Sequence, residues 1–256
     1  MARKETCMRL HTALAALLAL GVAACSQGGT KAPDSIDRMS KAEVEAIVKE
    51  YLLREPEILL EMQVAFQRNQ LATQTVAAEG AWDKLLASSK DDPYIGRKDA
   101  PITMIEFSDY DCGVCKAAVP WVMSQVDDRR GDIKLIVKES AVRGEDSRRA
   151  AIAAMAAHQQ GKYREMHIAL MKAPANAYTP ENLEKIAQSV GLDIARWKRD
   201  MASEALIKRV DRSVAEFDMA GLQGTPSFLI NGRFVGGFGQ EELESLIEAT
   251  RKQIGG

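Results

Sequence analysis

The stretch DYDCGVCKAA, residues 109–118, sets Cys112 and Cys115 on either side of a Gly-Val dipeptide. Such a pair can ligate a metal, staple a loop or exchange disulfides. A structural zinc site takes about four ligands, commonly two Cys pairs or a Cys pair with a His pair. The chain has four cysteines, Cys7, Cys25, Cys112 and Cys115, and no second close pair. His158 and His167 stand nine residues apart in amphipathic helical sequence and read as ordinary helix residues, so no zinc site is expected. Cu(I) stays open, because a soft metal accepts two thiolates. A purely structural disulfide is weak, since the ring would hold only a few residues and short loops stabilise least. Exchange is the remaining chemistry, provided the protein works in an oxidising compartment.

The N-terminus bears on the compartment. Arg3, Lys4 and Arg9 precede ALAALLALGVAA, residues 13–24, an apolar run too short for a comfortable membrane span. Residues 1–24 therefore read as an export signal. The run ends VAAC, which resembles the bacterial lipoprotein box. That resemblance implies cleavage before Cys25 and lipid attachment to it, with ordinary cleavage as the alternative. Cys7 leaves with the signal, and Cys25 begins a polar tether over 25–35. The folded body keeps only Cys112 and Cys115. Losing residues 1–24 leaves 31 Lys and Arg against 35 Asp and Glu, a net charge of −4. No basic excess remains to neutralise phosphates, which excludes a nucleic-acid partner.

The elements that must position the pair follow from periodicity. Ser40 and Glu43 have capping-box spacing, and Val44, Ile47, Val48, Tyr51 and Leu52 fall on one helical face. Pro56 suits the first turn of a second helix carrying Ile58, Leu59, Met62, Ala65 and Phe66. The apolar face thins from Gln67, is interrupted at Gly80 and resumes at Trp82. Residues 36–91 thus form a helical extension, too few helices to bury their own faces, and self-association is expected of them over packing on the main body. SSKDDPYIG, residues 88–96, reads as a linker or turn. The main domain spans 92–256. APITMIEF and DIKLIVKES are strands, and a helix with Pro120 within it lies between them, so the two strands are parallel. Residues 145–220 are helical with breaks near Gly161, Pro174–Pro180 and Gly191. SFLING and RFVGG form a hairpin about Asn231-Gly232, and an amphipathic helix closes the chain.

In this order Cys112 lies where a strand enters a helix. Backbone N–H groups and the helix dipole favour a thiolate there. Cys115, one turn on, is expected to be more buried and to act as the resolving thiol.

MIEFSDYDCGVCK after a strand, followed far along the chain by GTPSFLING, resembles the thioredoxin-fold disulfide oxidoreductases of the bacterial envelope, in their DsbA-like branch. The resemblance covers about residues 92–254. It implies an α/β thioredoxin fold with a helical insertion, a cis-proline at Pro226 facing the cysteines, and a Thr225 backbone that receives the bound substrate strand. Gly113 and Val114 join these as substrate-contacting positions, and Gly-Val between the cysteines differs from the Pro-His of the strong oxidase. VKEYLLREPEILLEMQ resembles the extension of the copper-sensitivity-suppressor (ScsC) proteins and their outer-membrane relatives, which oligomerise through it. The family also has an acidic residue where Glu106 stands, implying a proton acceptor for the resolving thiol, with Lys134 of the next strand as its suggested partner. The chain is thus expected to be an envelope thiol–disulfide oxidoreductase without a cofactor, leaning to isomerase or reductase. A DsbA-type oxidase and a Cu(I)-binding protein are the alternatives. Exported proteins with cysteines, a membrane redox partner and a second copy of the chain are the expected partners, with the membrane reached through the lipid at Cys25.

Overall fold

The computed structural model describes residues 39–174 and 177–255. The expected signal, Cys25 and the tether lie outside the described residues. The chain divides into two compact units, Met1–Ile58 and Leu59–Gly256. Helical residues from Leu59 to Asp91, which the sequence groups with the extension, fall in the second unit.

In the first unit, α1 (Lys41–Arg54) starts with the expected capping box: Ser40 Oγ accepts from the Glu43 N–H at 3.3 Å, and Glu43 Oε2 accepts from the Ser40 N–H at 2.8 Å. The helix buries none of its residues, and Val44, Ile47, Val48 and Tyr51 are all exposed.

α2 (Glu57–Gly80) and α3 (Trp82–Ser88) come next. The exposed apolar side chains of α2 include Leu59, Leu60, Met62, Val64 and Phe66, whereas Ala78, Ala81 and Leu85 are buried. Residues 88–96 are not all linker. After one turn of 3-10 helix at Ser89–Asp91, Tyr94–Gly96 form β1, antiparallel to β3 (Ile133–Glu139). Three residues are too few to show a period of two, so periodicity missed this strand.

The sheet has five strands in the order β1-β3-β2-β4-β5. β2 (Ile102–Ser108) runs parallel to β3, as the βαβ order requires, and antiparallel to β4 (Ser227–Ile230), which pairs with β5 (Arg233–Gly236). Asn231 and Gly232 have φ of 44° and 88°, the left-handed backbone that a two-residue hairpin demands. Between β2 and β3, α4 (Gly113–Val126) continues through Pro120. The insertion holds α5 (Glu145–His158), α6 (Tyr163–Lys172), α7 (Pro180–Ser189), α8 (Ile194–Met201) and α9 (Glu204–Met219), and α10 (Gln240–Gly255) closes the chain.

Strand alternation sends neighbouring residues to opposite faces. Ile102, Met104, Leu135, Val137, Phe228 and Ile230 pack with α4, α5, α6 and α10 on the first face. Ile105, Phe107, Ile136 and Leu229 pack on the second face with Ala78, Leu85 and Phe217. The expected α/β thioredoxin fold with its helical insertion is what the chain adopts. Its first face carries the cysteines.

Candidate functional site

β2 ends at Ser108, and the turn Asp109–Asp111 leads straight to Cys112, which caps α4. Asp109, 1% exposed, anchors that turn. Its carboxylate accepts from the Asp111 N–H at 2.7 Å and the Ser147 hydroxyl at 2.6 Å, and from the Val142 and Arg143 N–H groups at 3.0 and 3.1 Å. The strand-to-helix turn is thereby tied to the start of the insertion. Tyr178 adds a second tie, donating to the Tyr110 carbonyl at 2.6 Å while accepting from Lys116 Nζ at 2.6 Å.

As the cap residue, Cys112 receives the Cys115 N–H on its sulfur at 3.4 Å, and its thiol lies 3.1 Å from the Thr225 carbonyl oxygen. The thiol pKa is drawn down to about 5. The hydrogen bond from the Cys115 thiol contributes most. The Thr225 side-chain hydroxyl and the backbone N–H groups of Cys115 and Val114 add to it, and burial opposes them. Cys115 holds the shared proton, and its own pKa is raised by that hydrogen bond, by burial and by the charge of Glu106. The pair is therefore a thiolate beside a thiol at neutral pH. The expected order of burial holds, with Cys112 4% exposed and Cys115 fully buried. Gly113 and Val114, which follow Cys112 at the start of α4, are exposed.

The Thr225–Pro226 bond is cis. Pro226 is buried and Thr225 half-buried, and the loop they form delivers the Thr225 carbonyl to Cys112. Residues 113 sequence positions apart thus meet at one sulfur.

Glu106 is fully buried on the same face of the sheet as the cysteines. Neither carboxylate oxygen has a hydrogen-bond partner among the described residues. Burial raises its pKa to about 7; the nearby Ser108 hydroxyl offsets this in part, and the Cys112 charge adds to it. A group poised near neutrality beside the resolving thiol can accept its proton. Lys134 is not its partner. The parallel register sets Lys134 opposite Thr103 and Val137 opposite Glu106. Three positions of alternation turn Lys134 to the other face of the sheet.

Sequence reasoning missed four residues beside the site. Tyr110, Glu139, Tyr163 and His167 are each at most 4% exposed and touch one another. The detectable signal was the end of DIKLIVKES, where consecutive Lys138 and Glu139 follow an apolar run and cannot both face water if the strand is covered on both sides.

The profile of the thioredoxin family matches residues 88–249, well over half of the chain. The chain belongs to the thioredoxin family. Residues 41–72 also match the N-terminal domain of the copper resistance protein ScsC. Among solved structures, a thioredoxin-like oxidoreductase from Silicibacter pomeroyi DSS-3 is 35% identical, with a TM-score of 0.59, covering 64% of this chain and 94% of that one. Proteus mirabilis ScsC in a transitional conformation is 24% identical with a TM-score of 0.59, over 83% of this chain and 97% of that one, a likeness of fold. Among characterised relatives, the disulfide bond formation protein D of Bacillus subtilis is 25% identical over 177 residues, 64% of this chain and 79% of its own length. An Na(+)/H(+) antiporter NhaA 3 of Salinispora tropica is 29% identical over 160 residues, but the chain spans only 24% of the antiporter's length. The likeness at 35% identity is thus to a thioredoxin-like oxidoreductase, and the likeness to ScsC is one of fold and of the N-terminal segment.

Proposed function

We propose that this thioredoxin-family chain exchanges disulfides of exported proteins through Cys112 and Cys115, and that it works as an isomerase or reductase. The observation that carries the proposal is the asymmetric pair: a thiolate at the cap of α4 and a protonated, buried neighbour one turn on. The Cys112 thiolate attacks a client disulfide, forming the Cys112–client bond and expelling one client thiolate. Glu106 then takes the Cys115 proton. The Cys115 sulfur attacks Cys112 and expels the second client thiolate. The client gains two electrons, and the chain is left with a Cys112–Cys115 disulfide. If a client thiolate attacks Cys112 first, the client's bonds are rearranged with no net transfer of electrons. Thr225 and Pro226 flank the client strand, with Gly113 and Val114 at the rim.

The preference for isomerase or reductase rests on the extension. Val44, Ile47, Val48 and Tyr51 on α1, and Leu59, Leu60, Met62, Val64 and Phe66 on α2, leave apolar surface open in each unit, which favours assembly with further copies. Several active sites in one assembly can engage a misfolded client repeatedly. The N-terminal sequence supports export and a lipid anchor at Cys25, placing the protein in the bacterial envelope with a membrane redox partner to reset it. No helix among the described residues is long and apolar enough to cross a membrane.

Reactivation of scrambled ribonuclease in a glutathione buffer by the mature chain tests the activity. Strong reactivation, abolished by Cys112→Ser, is expected. Exchange that persists in the Ser variant overturns the proposal. The match of residues 41–72 to a copper resistance domain favours a second reading, Cu(I) bound between the two thiolates. Titration of the reduced protein with Cu(I) against a competing chelator tests it, and easily stripped copper removes it.

A further inference from the structure

Glu139 takes no part in the steps above, yet it is 2% exposed and lies on the cysteine face of the sheet, directly across from Ser108 and two positions along from the register mate of Glu106. Its Oε1 accepts from the Tyr163 hydroxyl at 2.7 Å and contacts the Tyr110 hydroxyl at 2.9 Å. The Tyr110 oxygen is also 3.0 Å from His167 Nδ1, and His167 Nε2 is buried without a partner among the described residues. Tyr110 stands two residues before Cys112, at the anchored turn.

The contacts admit two wirings. With Glu139 ionised, both tyrosines donate to it and His167 Nδ1–H donates to Tyr110. With one more proton, the added proton sits on His167 Nε2. The Nδ1 proton passes to Tyr110, the Tyr110 proton passes to Glu139, and Tyr110 then donates to Nδ1. No heavy atom needs to move, and the states differ by one proton. The tautomers follow from satisfying the network.

We propose that Glu139, wired through Tyr110 to His167, is a second buried proton site that acts with Glu106: the two acids hold one negative charge between them, so Glu139 governs the pH at which Glu106 takes the Cys115 proton. Like charges on one covered sheet face do not ionise together readily. Burial holds the Glu139 carboxyl up at about 8 against the two tyrosine hydrogen bonds, with Asp109 and Glu106 adding to the rise. The titratable groups facing Glu139 are Glu106 and Asp109 from β2 and its turn, Tyr110, and Tyr163 and His167 from α6. Beyond them lie His158 of α5, edge-on to Tyr163 at 6.0 Å, and the cysteines of α4. No lysine or arginine makes an ion pair with Glu139 or Glu106 among the described residues. Glu139 is a positioning residue here, acting on the reaction through Glu106.

This inference rests on the exchange reaction, and the test separates the two. The full chain is mixed with dithiobis(nitrobenzoate) in a stopped-flow instrument. The first release of nitrothiobenzoate reports Cys112 attack, and the second reports resolution by Cys115. In Glu139→Gln the first phase keeps its pH profile. The second should become a single sharper step that loses its alkaline shoulder, its midpoint lowered by about 0.5 pH unit or less, because a like charge has been removed. Tyr163→Phe, which weakens the ionised form of Glu139, should lower the midpoint by a smaller amount and decides the matter if the Gln variant does not fold. A second phase that superimposes on wild type in these variants, or moves to higher pH, overturns the role of Glu139. Loss of the first phase from the wild-type chain would instead overturn the exchange reading itself.

Discussion

Lys138 and Glu139 are neighbours in β3, both fully buried or nearly so, and they face opposite sides of one sheet. On the second face, Lys138 Nζ lies 2.5 Å from Asp92 Oδ2 and 2.6 Å from Glu216 Oε2. Arg209 adds a contact to Asp92 at 2.9 Å, and Arg212 stands 3.8 Å from both acids. Every charge there has an opposite. The Lys138–Asp92 contact is a charge pairing rather than an aligned hydrogen bond. On the first face, among the described residues, Glu106 has no hydrogen-bond partner, and Glu139 is held by neutral hydroxyls. Matched buried charges stay charged and hold elements together, whereas unmatched acids move toward neutrality and so respond to pH. One sheet thus keeps a structural face and a titrating face.

The largest effect should come from the titrating face's reaction partner. Cys112→Ser should reduce ribonuclease reactivation to background while leaving the thermal unfolding of the protein little changed. Next, Lys138→Met removes the buried cation shared by Asp92 and Glu216, and because Arg209 and Arg212 remain beside these acids it should cost somewhat less than a fully unpaired buried charge, about 2–3 kcal/mol in denaturant unfolding. The same variant should leave the pH profile of Cys112 alkylation where it is. A shifted profile would mean that the two faces are not separate.

Glu106→Gln sharpens the contrast through pH. The folded pKa of Glu106 is raised from 4.5 to about 7. The stability permitted by its neutral form is complete below about pH 4.5 and is lost as pH rises through 7. The Gln variant escapes that loss. Relative to wild type, it should therefore gain about 3 kcal/mol between pH 4 and pH 8. Paired urea titrations at the two values check this, and a parallel pH dependence would mean that Glu106 has a partner. The same variant should slow resolution by Cys115. The smallest effect belongs to Lys134→Ala, which lies opposite Thr103 and away from Glu106, and should change stability by less than about 0.5 kcal/mol and the thiol profiles not at all.

Much of this arrangement is legible in the sequence where a local rule governs it. The capping box at Ser40, the hairpin at Asn231-Gly232 and the entry of Cys112 into a helix each depend on a few adjacent residues. The Thr225 contact to Cys112 is legible only through family resemblance, since it joins distant segments. Lys134 illustrates the failure: choosing it as the partner of Glu106 needs strand register, and a shift of one residue exchanges the faces. His167 reads as an ordinary helix residue because an amphipathic face does not say which polar side chains point inward. β1 is too short to carry a pattern.

The exchange chemistry depends on Cys112 being a reactive thiolate at neutral pH while Cys115 is not. Reduced protein alkylated with iodoacetamide across pH 4–10, with the modified cysteine located by peptide mass, tests it most directly. Modification confined to Cys112, with a midpoint near pH 5, is expected. A midpoint near 9, or equal labelling of Cys115, would contradict it.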